Sequence, residues 1–298
     1  MKTIFAAAMT IGLLAGIRLT SVAAQFPAEV VGVGGYAHIV ADLDRAMKFY
    51  VDAMGLEMAR PVRPFDPTPW AMQAGNTPGA SSSAANLRVP GGEMTVELIT
   101  YRDFDTRAVK PRLEDPGATT LILNVRDAAD MRQRLVAAGG REIAAHIIQD
   151  PDGFYVRLVE NKNIAGPLGG ATLGVTVADT AATLKIYRDL MGFRPGPTDA
   201  NLRTVAPIPG ARASTIEWTE FKTPDRQAIH TRLPDPGTTM LLLPVRDAEA
   251  AAAALKEGGL EVISAGGKVV THDNGSRVII VRDPNNLFLE LIQRAPRP

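Results

Sequence analysis

RLEDPGATTLILNVRD (Arg112–Asp127) and RLPDPGTTMLLLPVRD (Arg232–Asp247) are two copies of one stretch, set 120 residues apart. The copy extends upstream without a gap, so that Glu97–Val125 aligns with Glu217–Val245. Registry held over that distance marks an internal repeat rather than shared composition. Outside this stretch, Asp42, Tyr50 and Met54-Gly55 match Asp179, Tyr187 and Met191-Gly192 at an offset of 137. Asp150-Pro151-Asp152 likewise matches Asp283-Pro284-Asn285 at an offset of 133. The chain therefore reads as two tandem halves, residues 30–163 and 168–294, joined near Gly166–Gly170.

Each half divides again, because four predicted helices share one punctuation. They open at Asp42, Asp127, Asp179 and Asp247, where a carboxylate can accept from the free N–H groups of a first turn. They close at Gly55, Gly139, Gly192 and Gly258, where a left-handed backbone costs glycine little. Apolar residues between these marks fall at helical spacing, as in Leu43, Met47, Tyr50 and Met54. An extended apolar run precedes each helix (Tyr36–Val40, Thr120–Val125, Leu173–Val177, Met240–Val245). Short β-prone runs follow, ending in Met94–Ile99, Phe154–Val159, Ser214–Trp218 and Phe288–Ile292. The expected fold class is α+β, four βαβββ modules with the helices outside mixed, mostly antiparallel sheets. Pro- and Gly-rich insertions at Pro61–Gly79 and Pro195–Gly210 belong to modules one and three only and are candidate lids.

Bulk composition narrows the partners. Lys+Arg and Asp+Glu balance at 32 each in 298 residues and aromatics make up 5%, so no net field draws nucleic acid or an anionic membrane. A chain without cysteine has no disulfides, thiolate metal sites or cysteine nucleophile. The first residues have the order of a secretory leader: basic Lys2, apolar Ile4–Ile17, then Val22-Ala23-Ala24 as a cleavage site. Arg18 interrupts the apolar run short of the roughly 20 residues that span a bilayer. The expectation is a signal peptide over 1–24 and a secreted or periplasmic product without a stable membrane anchor.

Asp42-Leu43-Asp44-Arg45-Ala46-Met47-Lys48-Phe49-Tyr50 with Met54-Gly55-Leu56 resembles the first helix of vicinal oxygen chelate modules. Asp150-Pro151-Asp152-Gly153-Phe154-Tyr155 and Asp283-Pro284-Asn285-Asn286 resemble the turn into their last strand. That superfamily contains glyoxalases, bleomycin-resistance proteins and extradiol dioxygenases, and the resemblance covers nearly all of the chain after the leader. It implies paired modules that curl their sheets into half-open barrels. A divalent ion sits on the concave face, held from first and last strands, commonly by His, Glu, His and Glu.

Carried over by position, the last-strand carboxylates correspond to Glu97, Glu217 and Glu290, with Arg157 in module two. The first-strand imidazole positions fall on Gly35, Thr120, Thr172 and Met240. Pairing across the halves would bring Glu97 to Glu290 and Arg157 to Glu217; pairing within each half would bring Glu97 to Arg157 and Glu217 to Glu290. Two carboxylates with water suit a hard ion, whereas Zn²⁺, Ni²⁺ or Fe²⁺ normally recruit imidazole. His38, three residues past the family position, would complete a set with Glu97 and Glu290 if a metal is bound. An odd shift on a strand turns a side chain to the other face unless a bulge intervenes. His146, His230 and His272 read as structural, and Arg112 and Arg232 as braces to Asp115 and Asp235.

The expected ligand-binding set is Glu97, Arg157, Glu217, Glu290, Thr120 and Thr172, with Glu97 the candidate catalytic residue. The expected activity is binding of a small organic molecule in a concave sheet cavity without a required cofactor. A metal-dependent lyase, isomerase or dioxygenase using a divalent ion is the alternative. The assembly expected is a monomer that is an internal pseudo-dimer, or a homodimer.

Overall fold

The computed structural model describes residues 26–296. The predicted leader lies outside them. Among the described residues, no helix is long and apolar enough to cross a membrane.

Module one runs β1 (Gly35–Ile39), α1 (Leu43–Met47), β2 (Glu57–Met58), β3 (Arg63–Asp66), α2 (Pro69–Gly75), β4 (Ser81–Arg88) and β5 (Thr95–Arg102). Module two is β6 (Thr119–Val125), α3 (Ala128–Ala137), β7 (Arg141–Ala144), β8 (Ile147–Gln149) and β9 (Tyr155–Glu160). Module three is β10 (Leu168–Thr176), α4 (Thr180–Lys185), β11 (Arg203–Pro207) and β12 (Thr215–Thr219). Module four is β13 (Thr239–Pro244), α5 (Ala248–Glu257), β14 (Glu261–Val262), β15 (Val270–Thr271), β16 (Arg277–Arg282) and β17 (Phe288–Gln293). Module three thus carries two strands after its helix where three are expected.

In every module the first and last strands pair in parallel: β1 with β5, β6 with β9, β10 with β12, β13 with β17. Antiparallel contacts then join modules across the halves. β1 pairs β13 to make a ten-stranded sheet from modules one and four, and β6 pairs β10 to make a seven-stranded sheet from modules two and three. Neither sheet closes into a barrel. The pairing that the repeat left open is therefore the crossed one.

All four predicted N-cap aspartates accept from first-turn amides, Asp247 from both Glu249 N and Ala250 N. Gly55, Gly139 and Gly192 have φ of 87°, 96° and 82° as expected, but at the fourth helix the left-handed residue is Gly259 (φ 90°) rather than Gly258. A second difference lies inside the helices. α1 and α4 widen into π-helical turns over Lys48–Ala53 and Ile186–Leu190. The wider turn buries Phe49 together with Tyr50, and Ile186 with Tyr187, so that each tyrosine reaches inward.

Strand alternation splits the apolar residues between two faces. Tyr36, Val40, Leu98, Leu241 and Leu289 join the core beneath the helices, which also takes Leu121, Val156, Leu173 and Ile216 from the other sheet. Ala37, Ile39, Ile99, Met240, Leu242 and Phe288 form a second cluster on the opposite face. The insertion at 61–79 covers that face: it folds as β3 and α2, and Trp70 and Ala74 of α2 pack into the second cluster. Ser264 fixes it by donating to Ala74 O at 3.0 Å.

Candidate functional site

The face of the larger sheet that the insertion covers is floored by β5, β1, β13 and β17 in that order. Glu97 lies beside Ala37, which lies beside Met240; Glu290 lies beside Leu242, which lies beside Gly35. Side chains in register share a face, so Glu97 and Glu290 rise from the same apolar floor on the two outer strands. Both retain partial access to solvent. Asn86 on β4 donates to Glu97 at 3.3 Å, and Tyr101 packs against the apolar cluster on the same side.

This placement sets the charges. Burial pushes the Glu290 carboxyl up to about 8, and the nearby Glu97 charge adds to the rise. Burial also raises Glu97, but Arg63, the Asn86 hydrogen bond and Arg60 hold the rise back. Glu290 therefore holds its proton more readily than Glu97, whose rise Arg63, Asn86 and Arg60 oppose. The Tyr101 phenol is raised by burial and by both glutamates, so it stays neutral and can donate.

The seven-stranded sheet carries a cavity of about 220 Å³, lined among others by Thr120, Ile122, Arg157, Arg203 and Glu217. Arg157 donates to Glu217 at 2.8 Å across the two intervening strands. Thr172 instead engages Thr215, hydroxyl to hydroxyl, at 2.9 Å. Thr120, Arg157 and Glu217 thus meet on the other sheet, apart from Glu97 and Glu290. Because the ion pair is largely enclosed, removing one partner strands the other. Glu217→Leu is expected to cost about 1–3 kcal/mol in urea denaturation and Arg157→Leu a similar amount, with the double variant costing less than their sum.

His38 joins neither the Glu97–Glu290 face nor the Arg157–Glu217 cavity. It faces the helix side of β1, opposite Ala37 and Ile39, and packs 5.0 Å from the Phe154 ring. Its Nε2 donates to Asp150 Oδ2 at 3.0 Å, and Tyr50 donates to the same oxygen at 2.8 Å. Burial opposes the His38 charge, but Asp150 outweighs it and the imidazole is raised; burial likewise opposes ionisation of Asp150, and His38 and the hydrogen bonds outweigh that. The remaining histidines serve locally: His272 stacks on Trp70 at 4.0 Å, His146 occupies a left-handed turn, and His230 is exposed. Arg112 and Arg232 each bind their own aspartate at 2.8 Å and reach the backbone oxygens of Asp225 and Asp105, so the two connectors brace each other.

The divalent ion implied by the resemblance can be tested against these donors. The first-strand residues beside Glu97 and Glu290 are Gly35, Ala37, Met240 and Leu242, none of which ligates a metal through nitrogen or oxygen of its side chain. The carboxylates stand on the two outer strands, and the first strands between them, β1 and β13, present no imidazole to that face. The set does not fit a tightly held transition ion there.

Comparison with known proteins follows the same outline. The family described as the Glyoxalase/Bleomycin resistance protein/Dioxygenase superfamily matches residues 32–158 and 171–291. A lactoylglutathione lyase from Haemophilus influenzae is 26% identical over 139 residues, 44% of this chain and 93% of that protein. Among solved structures, glyoxalase I from Zea mays superposes with a TM-score of 0.56 at 18% identity, covering 89% of this chain and 92% of that one. A putative dioxygenase from Bacillus subtilis subsp. subtilis str. 168 gives 0.58 at 14% identity, covering 90% and 87%. The structural likeness, at these identities, concerns the fold.

Proposed function

The chain belongs to the Glyoxalase/Bleomycin resistance protein/Dioxygenase superfamily, and we propose that it binds a small organic molecule on the concave face of the ten-stranded sheet without metal coordination there. One observation carries the reading: Glu97 and Glu290 share an apolar floor on which burial, reinforced by Glu97, moves Glu290 to about 8. A carboxylic acid and a neighbouring acceptor recognise a carbonyl or hydroxyl group. Ile99, Met240, Leu242 and Trp70 offer apolar contact to the rest of the ligand. The same pair is equipped for proton transfer, with Glu97 as general base and Glu290 as acid. That supports an isomerase or lyase as the second reading.

Ligand-linked stabilisation tests this. A panel of small hydroxy-carbonyl compounds is expected to contain members that raise the melting temperature of the parent chain, and Glu97→Gln is expected to abolish the rise. A rise unchanged in that variant contradicts the reading. We further propose export to the periplasm or outside the cell, on the leader pattern of residues 1–24. N-terminal sequencing of protein from the native host is expected to begin near Gln25, and a mature chain beginning at Met1 contradicts it.

A further inference from the structure

The two halves differ in one buried place. His38, Asp150 and Asp152 are 0%, 5% and 4% exposed, and their ligand atoms all lie within 4.8 Å of one another. At the repeat's offsets of 137 and 133, His38 corresponds to Val175, Asp150 to Asp283 and Asp152 to Asn285. The hydrogen-bond skeleton is common to both. Asp283 accepts from Tyr187 and from the Asn285 and Leu287 amides, as Asp150 accepts from Tyr50 and from the Asp152 and Phe154 amides. Asn285 Oδ1 accepts from Ala178 N at 2.9 Å, as Asp152 Oδ1 accepts from Ala41 N at 3.1 Å.

The remaining atom is where they part. Asn285 Nδ2 donates to Thr183 Oγ1 at 3.0 Å and to Asp283 Oδ2 at 3.4 Å. In the first half the corresponding atom is Asp152 Oδ2, an acceptor, and among the described residues it is buried with no partner. Thr183 is replaced there by Ala46. A donor has thus become an unpartnered carboxylate oxygen, and the same place has gained an imidazole. A buried carboxylate oxygen without a donor costs a folded protein unless a cation meets it.

We propose that His38 Nε2, Asp150 and Asp152 bind a divalent transition ion, Zn²⁺ foremost, which clamps module one to module two. One imidazole with two carboxylates is a suitable donor set for Zn²⁺. The 3.0 Å between His38 Nε2 and Asp150 Oδ2 is close to the separation of two ligand atoms on one ion, on the order of 3 Å for bonds near 2 Å. His38 Nδ1 faces Thr238 O at 3.4 Å, the outer contact that orients a ligating imidazole. On loading, the Nε2 proton leaves to solvent and its lone pair takes the ion. Arg45, whose side chain is 45% exposed and rests on Asp152 Oδ1, marks the way in. The site is on the opposite face of β1 from Glu97 and is independent of the function proposed above.

The test is calorimetric titration of the chelator-treated full chain with Zn²⁺, alongside Asp152→Asn and His38→Val, which rebuild the second half's arrangement, and Glu290→Gln. One Zn²⁺ per chain is expected for the parent and for Glu290→Gln, with binding at least tenfold weaker in Asp152→Asn and His38→Val. Absence of saturable binding by the parent, or binding lost in Glu290→Gln and kept in Asp152→Asn, overturns the proposal. Should either cluster variant fail to fold, anomalous diffraction from a Zn²⁺-soaked crystal of the parent decides: an ion bonded to His38 Nε2 supports the site, and ions found only elsewhere refute it.

Discussion

At pH 9 the Glu290→Gln chain is expected to unfold at a higher urea concentration than the parent, while at pH 5 the two nearly coincide. The folded state raises Glu290 from 4.5 to about 8, chiefly by burial and then by the charge of Glu97. A carboxyl raised in the folded state binds its proton more tightly there than in the unfolded chain. Its stabilising contribution is therefore complete below about 4.5 and is lost as pH rises through about 8. Above that, folding holds a carboxylate among Met240, Leu242 and Phe288 at a cost of a few kcal/mol, reduced by the water that reaches the cleft. Glutamine keeps the shape and carries no charge, so its advantage should grow across that window. Glu97→Gln should bring the transition to lower pH by removing the charge opposite. A parent and variant whose urea midpoints stay parallel from pH 5 to 9 would refute the assignment.

The second large effect is expected at Asp150. Its carboxylate takes hydrogen bonds from His38, Tyr50 and the Asp152 and Phe154 amides, and all of these lie in the core. Asp150→Ala leaves the buried His38 ring, the Tyr50 hydroxyl and two amides without their acceptor, and should cost about 3–5 kcal/mol in urea denaturation. The same substitution in the other half, Asp283→Ala, is a built-in comparison. Asp283 serves Tyr187 and two amides but faces Val175 instead of a histidine, and burial pushes it up to about 6. Asp283→Ala strands Tyr187 and two amides but removes no ion pair, so it should cost less, about 1–3 kcal/mol. Equal losses at the two positions would mean that the His38 interaction contributes nothing.

Much of this architecture was legible along the chain because it depends on local chemistry. The four N-cap aspartates, the glycines after the helices and the run of apolar strand residues each act within a few residues, and they survive intact in the repeat. Module pairing is different in kind. It rests on Gly35 meeting Leu242 and Thr120 meeting Gly174, contacts between residues far apart in sequence that carry no turn or period of their own. In the insertion at 61–79 the prolines hide the regular structure of β3 and α2. Yet Pro69 in the first helical turn and Asn76 in a left-handed cap are the ordinary ends of a short helix. The π-helical turns left no periodic mark, since an extra residue in one turn shifts the stripe without erasing it. For the His38 cluster a signal did exist. Aligning the halves shows His for Val and Asp for Asn at two separated positions, and only the fold reveals that these positions touch.

The most direct measurement is crystallographic: soaking crystals with small hydroxy-carbonyl fragments, for the parent and for Glu97→Gln. The account predicts fragments seated on the floor of β1 and β13, with an oxygen hydrogen-bonded to Glu97 or Glu290, and loss of that occupancy in Glu97→Gln. Fragments confined to the Arg157–Glu217 cavity, or a metal ion bonded to Glu97, would contradict it.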